Sequence, residues 1–300
     1  MSMIPSFPED TPSYFADAES DIDLARAIIF GVPLDKSVCF RRGARQGPAA
    51  IRKASWNFET FDYLTGVDFS EILVHDYGDV DIGEDQDIST IIDRVTNITQ
   101  KIFEKKKIPV CLGGEHTAII GITKALPRHC HVIIIDAHAD FRDSYLDQSL
   151  HHACTVRRIV ERIGSDNLTL IGLRSAEKQE YLELQQSGMT VIDALSINRK
   201  GIDQILSSDT VQIDSTSPVY LSIDIDAIDP GFAPGTGSPE PFGLHPSDIL
   251  PIIDTYEDRL IGFDVMEVNP LYDHGETALL AAKIIRYGLA CIHKVKKRLV

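Results

Sequence analysis

Eight short, largely apolar runs, separated by stretches of helical periodicity, leave this chain few ways to fold. The runs are AIIFGVP (27–33), EILVHDYG (71–78), IPVCLGG (108–114), HVIIIDAH (131–138), LTLIGLR (168–174), MTVIDA (189–194), VYLSIDID (219–226) and LIGFDVMEV (260–268). A strand with one wet face alternates apolar and polar residues. These runs are predominantly apolar, so both faces must be covered. Between them, DISTIIDRVTNITQKIF places Ile88, Ile91, Ile92, Val95, Ile98 and Ile102 on one helical stripe. A last helical segment, about 276–295, carries Lys294, Lys296, Lys297 and Arg298 at its end, where cations complement the helix dipole. Alternating strands and helices predict an α/β protein with a parallel sheet covered on both sides. No Ser/Gly-rich linker or repeat divides the chain, which predicts one domain over 1–300 with residues 1–24 as an N-terminal extension, packed or partly flexible.

A net charge of -16 argues against a nucleic-acid partner, which would need a basic surface to displace phosphate counterions, and suits a cationic small ligand. Five cysteines without C-x-x-C spacing read as reduced thiols. The acidic, Pro-containing start resembles no secretory leader, and no apolar run reaches membrane-spanning length. These features predict a cytoplasmic protein with no membrane association.

The run VIIIDAHAD (132–140) passes from four β-branched residues straight into three groups that resist burial. Asp136, His138 and Asp140 have the spacing that, in extended backbone, turns side chains to one side. Asp224 and Asp226 repeat the pattern at a second strand end, and His116 follows a third. Ligands of such sheets bind beyond the carboxyl ends of the strands. Four aspartates gathered there would repel one another and suffer desolvation. Two divalent cations would neutralise them, and an oxygen-rich set with imidazoles favours a hard ion such as Mn²⁺. Two such ions can share a water and lower its pKa toward neutrality.

In order along the chain, GGEHT (113–117), DAHAD (136–140), SIDIDAIDPGFAPGTGSPEPFG (222–243) and DVMEVNP (264–270) resemble the ureohydrolases, the arginase and agmatinase family. GVPLDKSVCFRRGARQGPAAIR (31–52) is similar to the family's opening segment. The resemblance implies a three-layer α/β/α sandwich around a mostly parallel eight-stranded sheet. It implies two Mn²⁺ ions held by His116, Asp136, His138, Asp140, Asp224 and Asp226, and a homo-oligomer, trimer or hexamer. It implies hydrolysis of a guanidino group to urea and an amine by hydroxide shared between the metals. Glu267 would hold the guanidinium through a bidentate pair. Asp140 would hold or relay a proton. His152 would serve as proton shuttle or substrate contact, with His151 beside it as the competing assignment.

The loop FRDSYLDQSLHH (141–152) lacks the Ser-Gly-Asn pattern with which the family's arginases grip an amino acid. Its acidic Asp143 and Asp147 suit a substrate whose far end is an amine, and Asp143 is the expected contact. Agmatine, giving putrescine and urea in polyamine synthesis, is therefore the expected substrate. Arg142 keeps guanidinobutyrate and formimidoylglutamate open, with arginine and aminopropylagmatine as further alternatives. A non-catalytic relative would not need all seven polar groups, and a binuclear phosphoesterase would want basic residues where Glu267 stands. Asp229 and Glu240 are candidate supports, Cys154 a packing residue, and the EKKK run (104–107) a solvated helix end.

Overall fold

The computed structural model describes residues 11–83, 87–208 and 211–298, with side chains described as far as residue 295. The first ten residues of the expected extension, and the side chains of Lys296, Lys297 and Arg298, lie outside that range. Residues 11–24 run over the body of the protein: Phe15 is fully buried, and its backbone N donates to Asp76 Oδ2 at 2.7 Å.

The strands are β1 (Ala27–Val32), β2 (Phe61–Asp62), β3 (Val67–Asp68), β4 (Val74–Asp79), β5 (Ile108–Gly113), β6 (His131–Ile135), β7 (Leu168–Leu173), β8 (Thr190–Asp193), β9 (Val219–Asp224) and β10 (Leu260–Met266). β2 and β3 make a small separate hairpin. The other eight, each one of the eight apolar runs, form a sheet of order β4-β1-β5-β10-β9-β6-β7-β8. Every pairing in it is parallel.

The pleat sends alternate side chains to opposite faces, which is why each face carries helices. Ile133 and Ile135 join the cluster formed with α1 (Gly47–Ser55), α6 (Ala194–Lys200), α7 (Ile202–Leu206), α8 (Ile249–Tyr256) and α9 (Glu276–Arg298). Val132 and Ile134 join the opposite cluster, with α2 (Ile88–Glu104), α3 (Ile119–Ala125), α4 (Thr155–Ile163) and α5 (Lys178–Ser187). Each fully buried aliphatic side chain contributes roughly 1.5–3 kcal/mol. Polar substitutions in the central strands would therefore be costly.

The helix α2 buries Ile91, Ile92, Val95 and Ile102 of its expected stripe, and Asp87 caps it by accepting from Thr90 N at 2.6 Å. It packs closely on α3 at Gly121, where a Cβ would sit 2.6 Å from the Ile92 carbonyl oxygen and 2.8 Å from Val95 Cβ. Gly121→Ala is expected to destabilise the protein by about 1–3 kcal/mol, because neither neighbour is a flexible side-chain tip. Urea unfolding would show this as a lower midpoint at unchanged slope.

One expectation is corrected nearby. The EKKK run is not wholly solvated: Lys107 is buried, and its Nζ donates to the carbonyls of Asp23 at 2.9 Å and Ala25 at 2.6 Å. Those carbonyls end the segment leading into β1, so the lysine ties two chain segments together.

Sheet register places the site. Leu112 of β5 pairs with Val265 of β10, Met266 with Asp224 of β9, and Ile223 of β9 with Ile135 of β6. The four central strands thus end at one level, and the polar residues that follow them emerge side by side.

Candidate active site

Two clusters sit at that level. His116, Asp136 and Asp224 form one, and Asp136, His138 and Asp226 the other; within each, one donor atom per residue lies within 4.8 Å of the rest. His116 Nδ1 is 3.0 Å from Asp136 Oδ2 and 3.2 Å from Asp224 Oδ2. His138 Nδ1 is 3.0 Å from Asp226 Oδ2 and 3.6 Å from Asp136 Oδ1. Asp136 therefore turns one oxygen toward each cluster, which makes them adjacent.

The local backbone differs from the straight rail that the spacing suggested. β6 stops at Ile135, and His138 keeps only an isolated parallel bridge to Ser175. Asp140 turns into the left-handed region at φ 44°. Asp224 ends β9, while Asp226 lies in a 3-10 turn over Ile225–Ala227, its backbone N donating to Asp224 Oδ1 at 2.9 Å. β6 and β9 end where Asp136 and Asp224 each accept from the backbone N–H two residues on, which bends the chain.

The electrostatics call for cations. Burial works against a charged imidazole at His116, yet the carboxylates of Asp136 and Asp224 outweigh it and hold its pKa well above the ordinary value. His138 is raised in the same way by Asp226 and Asp136 against its own burial. Burial, then the charges of neighbouring aspartates, drives Asp140 and Asp224 well above the usual carboxylate range. Charges of one sign concentrated in a dry site, with oxygen and imidazole donors converging, fit a pair of hard divalent ions. Asp140 faces the same cavity but belongs to neither tight cluster.

A support for His116 was missed in the sequence. Its Nε2 lies 3.0 Å from Ser222 Oγ, which donates to Asp264 Oδ1 at 2.7 Å, while Tyr220 OH donates to Asp264 Oδ2 at 2.8 Å. With the serine proton committed to Asp264, Ser222 accepts from Nε2–H, so Nδ1 is the nitrogen turned to the carboxylates and open to a metal ion that displaces its proton. A fully buried carboxylate in the middle of an apolar strand was the available signal.

The clusters open into a cavity of about 420 Å³, whose lining includes His138, Asp140, Arg142, His152, Glu177, Glu180 and Glu267. Glu267 follows β10 at φ 63°, and its Oε1 accepts from His116 N at 2.8 Å. Burial, then the charge of Glu115, pushes its pKa up to about 8. Non-glycine residues at positive φ are strained, and here two of them place carboxylates in the cavity.

His152, not His151, lines the cavity. Ser37 donates its hydroxyl proton to buried Glu115, and its oxygen lies 3.2 Å from His152 Nδ1 and accepts from His152 N at 3.0 Å. The ring thus donates from Nδ1, leaving Nε2 bare. Ser37 and Glu115 went unnoticed because they stand 78 positions apart. His151 is buried, with rings of Tyr145 at 4.7 Å and His152 at 4.3 Å. Burial lowers His151 to about 4 and also lowers His152.

Asp143 is not brought to the cavity. Its side chain is 83% exposed and pairs with Arg158 at 2.9 Å. Glu177, which caps α5, and Glu180 in its first turn are the acidic groups there instead, and Arg142 reaches Glu180 at 3.3 Å and Glu177 at 3.9 Å. Asp229 closes the 229–243 loop by accepting from Gly231 N and Gly243 N, both at 2.9 Å. The Glu240 carbonyl accepts from Arg174 Nη2 at 2.6 Å. Cys154 is buried.

Comparison with known proteins agrees with this geometry. An agmatinase of Bacillus cereus is 31% identical over 283 residues, covering 91% of this chain and 93% of its own. An N(1)-aminopropylagmatine ureohydrolase of Thermococcus kodakarensis is 33% identical over 274 residues, covering 90% and 92%. The crystal structure of an agmatine ureohydrolase of Thermoplasma volcanium superposes with a TM-score of 0.90 at 36% identity, covering 96% of this chain and 97% of that one. The arginase family model matches residues 25–291. With that match spanning the sheet and every polar strand end, the chain belongs to the arginase family, hydrolases acting on C–N bonds of linear amidines.

Proposed function

We propose that the protein hydrolyses agmatine to putrescine and urea, with two Mn²⁺ ions held by His116, Asp136, His138, Asp140, Asp224 and Asp226. When bound, the ions supply Lewis-acid charge and an activated water. Glu267 holds the guanidinium by paired N–H donors and keeps its central carbon beside the clusters. His152, kept neutral by burial and bare at Nε2, first takes up a proton there from the attacking water and then hands it to the departing amine. Asp140, a carboxylate facing the same cavity, accepts a hydrogen bond from the proton left at the centre of the site.

The observation that carries agmatine over a guanidino acid is the charge of the cavity wall. Among the described residues, Arg142 is the one arginine or lysine lining the cavity, and Glu180 and Glu177 engage it while its guanidinium lies 4.8 Å from the Tyr145 ring centroid. A substrate carboxylate would meet an already neutralised arginine and an extra glutamate. A second cationic end meets net negative charge, which suits a diamine-like substrate. The test is urea release with Mn²⁺ from agmatine, aminopropylagmatine, arginine and guanidinobutyrate. Agmatine should give the highest kcat/KM, and Glu177→Gln should raise KM for agmatine without raising that for guanidinobutyrate. Guanidinobutyrate as the best substrate would sink the assignment.

Asp264→Asn tests the support of His116. Loss of the charge that orders Ser222 is expected to weaken metal affinity by about 10- to 100-fold. Turnover should return when Mn²⁺ is raised in the assay. An unchanged metal dissociation constant would show that the Ser222–Asp264 pair does not set the His116 tautomer.

A further inference from the structure

A third cluster stands at the cavity mouth, apart from the aspartate centre. Donor atoms of Cys39, His151 and His152 lie within 4.8 Å of one another. Cys39 is an exposed free thiol on the segment that also carries Ser37, and both Cys39 and His152 line the cavity. From this geometry we infer a separate zinc site at the entrance, formed by the Cys39 thiolate and the two imidazoles, whose occupation blocks turnover.

The donor chemistry separates the two metal positions. The deep clusters present carboxylates with one imidazole each, a set suited to hard ions. The mouth presents one sulfur and two nitrogens with no carboxylate, the soft set that Zn²⁺ takes at tetrahedral sites, leaving a fourth position for water. Support for the ligands is already built. Ser37, itself bonded to Glu115, accepts from His152 Nδ1 at 3.2 Å and orients the ring with Nε2 bare. The His151 ring is stacked between Tyr145 and His152 and accepts only the 3.3 Å bond from Ala153 N at Nδ1, while the Cys39 thiol gives up its 3.9 Å bond to the Ser37 carbonyl on binding. The thiol proton leaves to solvent as the Zn–S bond forms, with no redox change.

Occupation has two consequences. It takes the His152 nitrogen needed for proton transfer, and it fastens the Cys39 segment across the entrance. Both rest on the proposed function, the first on His152 as proton carrier and the second on the cavity as the substrate's route; the site itself does not.

The test uses the full chain loaded with Mn²⁺. Equilibrium dialysis against Zn²⁺, read by elemental analysis, should add one zinc per subunit without loss of manganese. Cys39→Ser should weaken that uptake by roughly a hundredfold, because the thiolate is the one anionic ligand of the set. Co²⁺ used in place of Zn²⁺ should give a thiolate-to-metal charge-transfer band in the near ultraviolet that Cys39→Ser lacks. That band reports on the thiolate whether or not agmatine is the substrate. Zinc inhibition, measured against each protein's own zinc-free rate, should be lost in Cys39→Ser. Zinc uptake matched by manganese release, or an equal uptake and inhibition in Cys39→Ser, would overturn the site.

Discussion

Asp136→Asn is expected to release both metal ions and to lower turnover by at least about a thousandfold. The reason is geometric. Asp136 turns Oδ2 to His116 at 3.0 Å and Oδ1 to His138 at 3.6 Å, so it is the residue the two clusters share. His116→Ala or Asp226→Asn, which each touch one cluster, should empty one position and leave the other partly filled. A loss of fold would mimic loss of metal, so the metal-free proteins should be compared by thermal unfolding. His116 and His138 hold Asp136 in its charged form against burial, and it accepts from His138 N at 2.6 Å, so the metal-free variant should melt below its metal-free parent while still unfolding in one cooperative step. Two tightly held ions and normal turnover in Asp136→Asn would refute the shared-ligand assignment.

Glu267→Gln separates holding the substrate from building the metal centre. Glu267 belongs to neither cluster, so both ions should remain. The change keeps shape and the acceptor for His116 N but removes the charge facing the guanidinium. Losing one charge-assisted pair in a dry site costs on the order of 2–4 kcal/mol, roughly thirty- to a thousandfold in kcat/KM. The pH dependence has a definite sign. Burial raises this carboxyl to about 8, so its charged form prevails above that value, and kcat/KM should climb as pH rises toward it. Cations bound beside it move the limb to lower pH. In Glu267→Gln, the part of the limb due to this group should vanish. Near-normal kcat/KM in the variant, with both ions bound, would remove the main physical support for a guanidinium substrate.

Much of the fold was legible because its signals are local. An apolar run of six residues, bounded by turns, must be buried on both faces, and a series of such runs interleaved with helical stripes admits few arrangements other than a covered parallel sheet; the polar β4, VHDYGD, lies at its edge with only Val74 fully buried. Strand ends were less legible. DAHAD reads as an extended rail, but His138 N competes for the Asp136 carboxylate at 2.6 Å and curls the chain. Asp143 illustrates a different failure. Its sequence position, three residues after Asp140, suggested the cavity, yet the side chain faces solvent and Arg158, and a later turn supplies Glu177 and Glu180.

By itself the sequence determined which residue types stand at the strand ends, because burial and side-chain alternation act within a few neighbouring positions. Only the tertiary structure decided how they are wired. Asp136 became the shared residue because the registers of β6, β9 and β5 bring His116 and His138 to its two oxygens. His152 rather than His151 faces the cavity because Ser37, 115 positions away, holds its ring from Glu115. Asp264 orients His116 through Ser222 because β9 and β10 pair at those residues, Asp264 opposite Ser222. Hydrogen bonds act over about 3 Å, and nothing in a linear order of residues fixes which groups separated by a hundred positions will come that close.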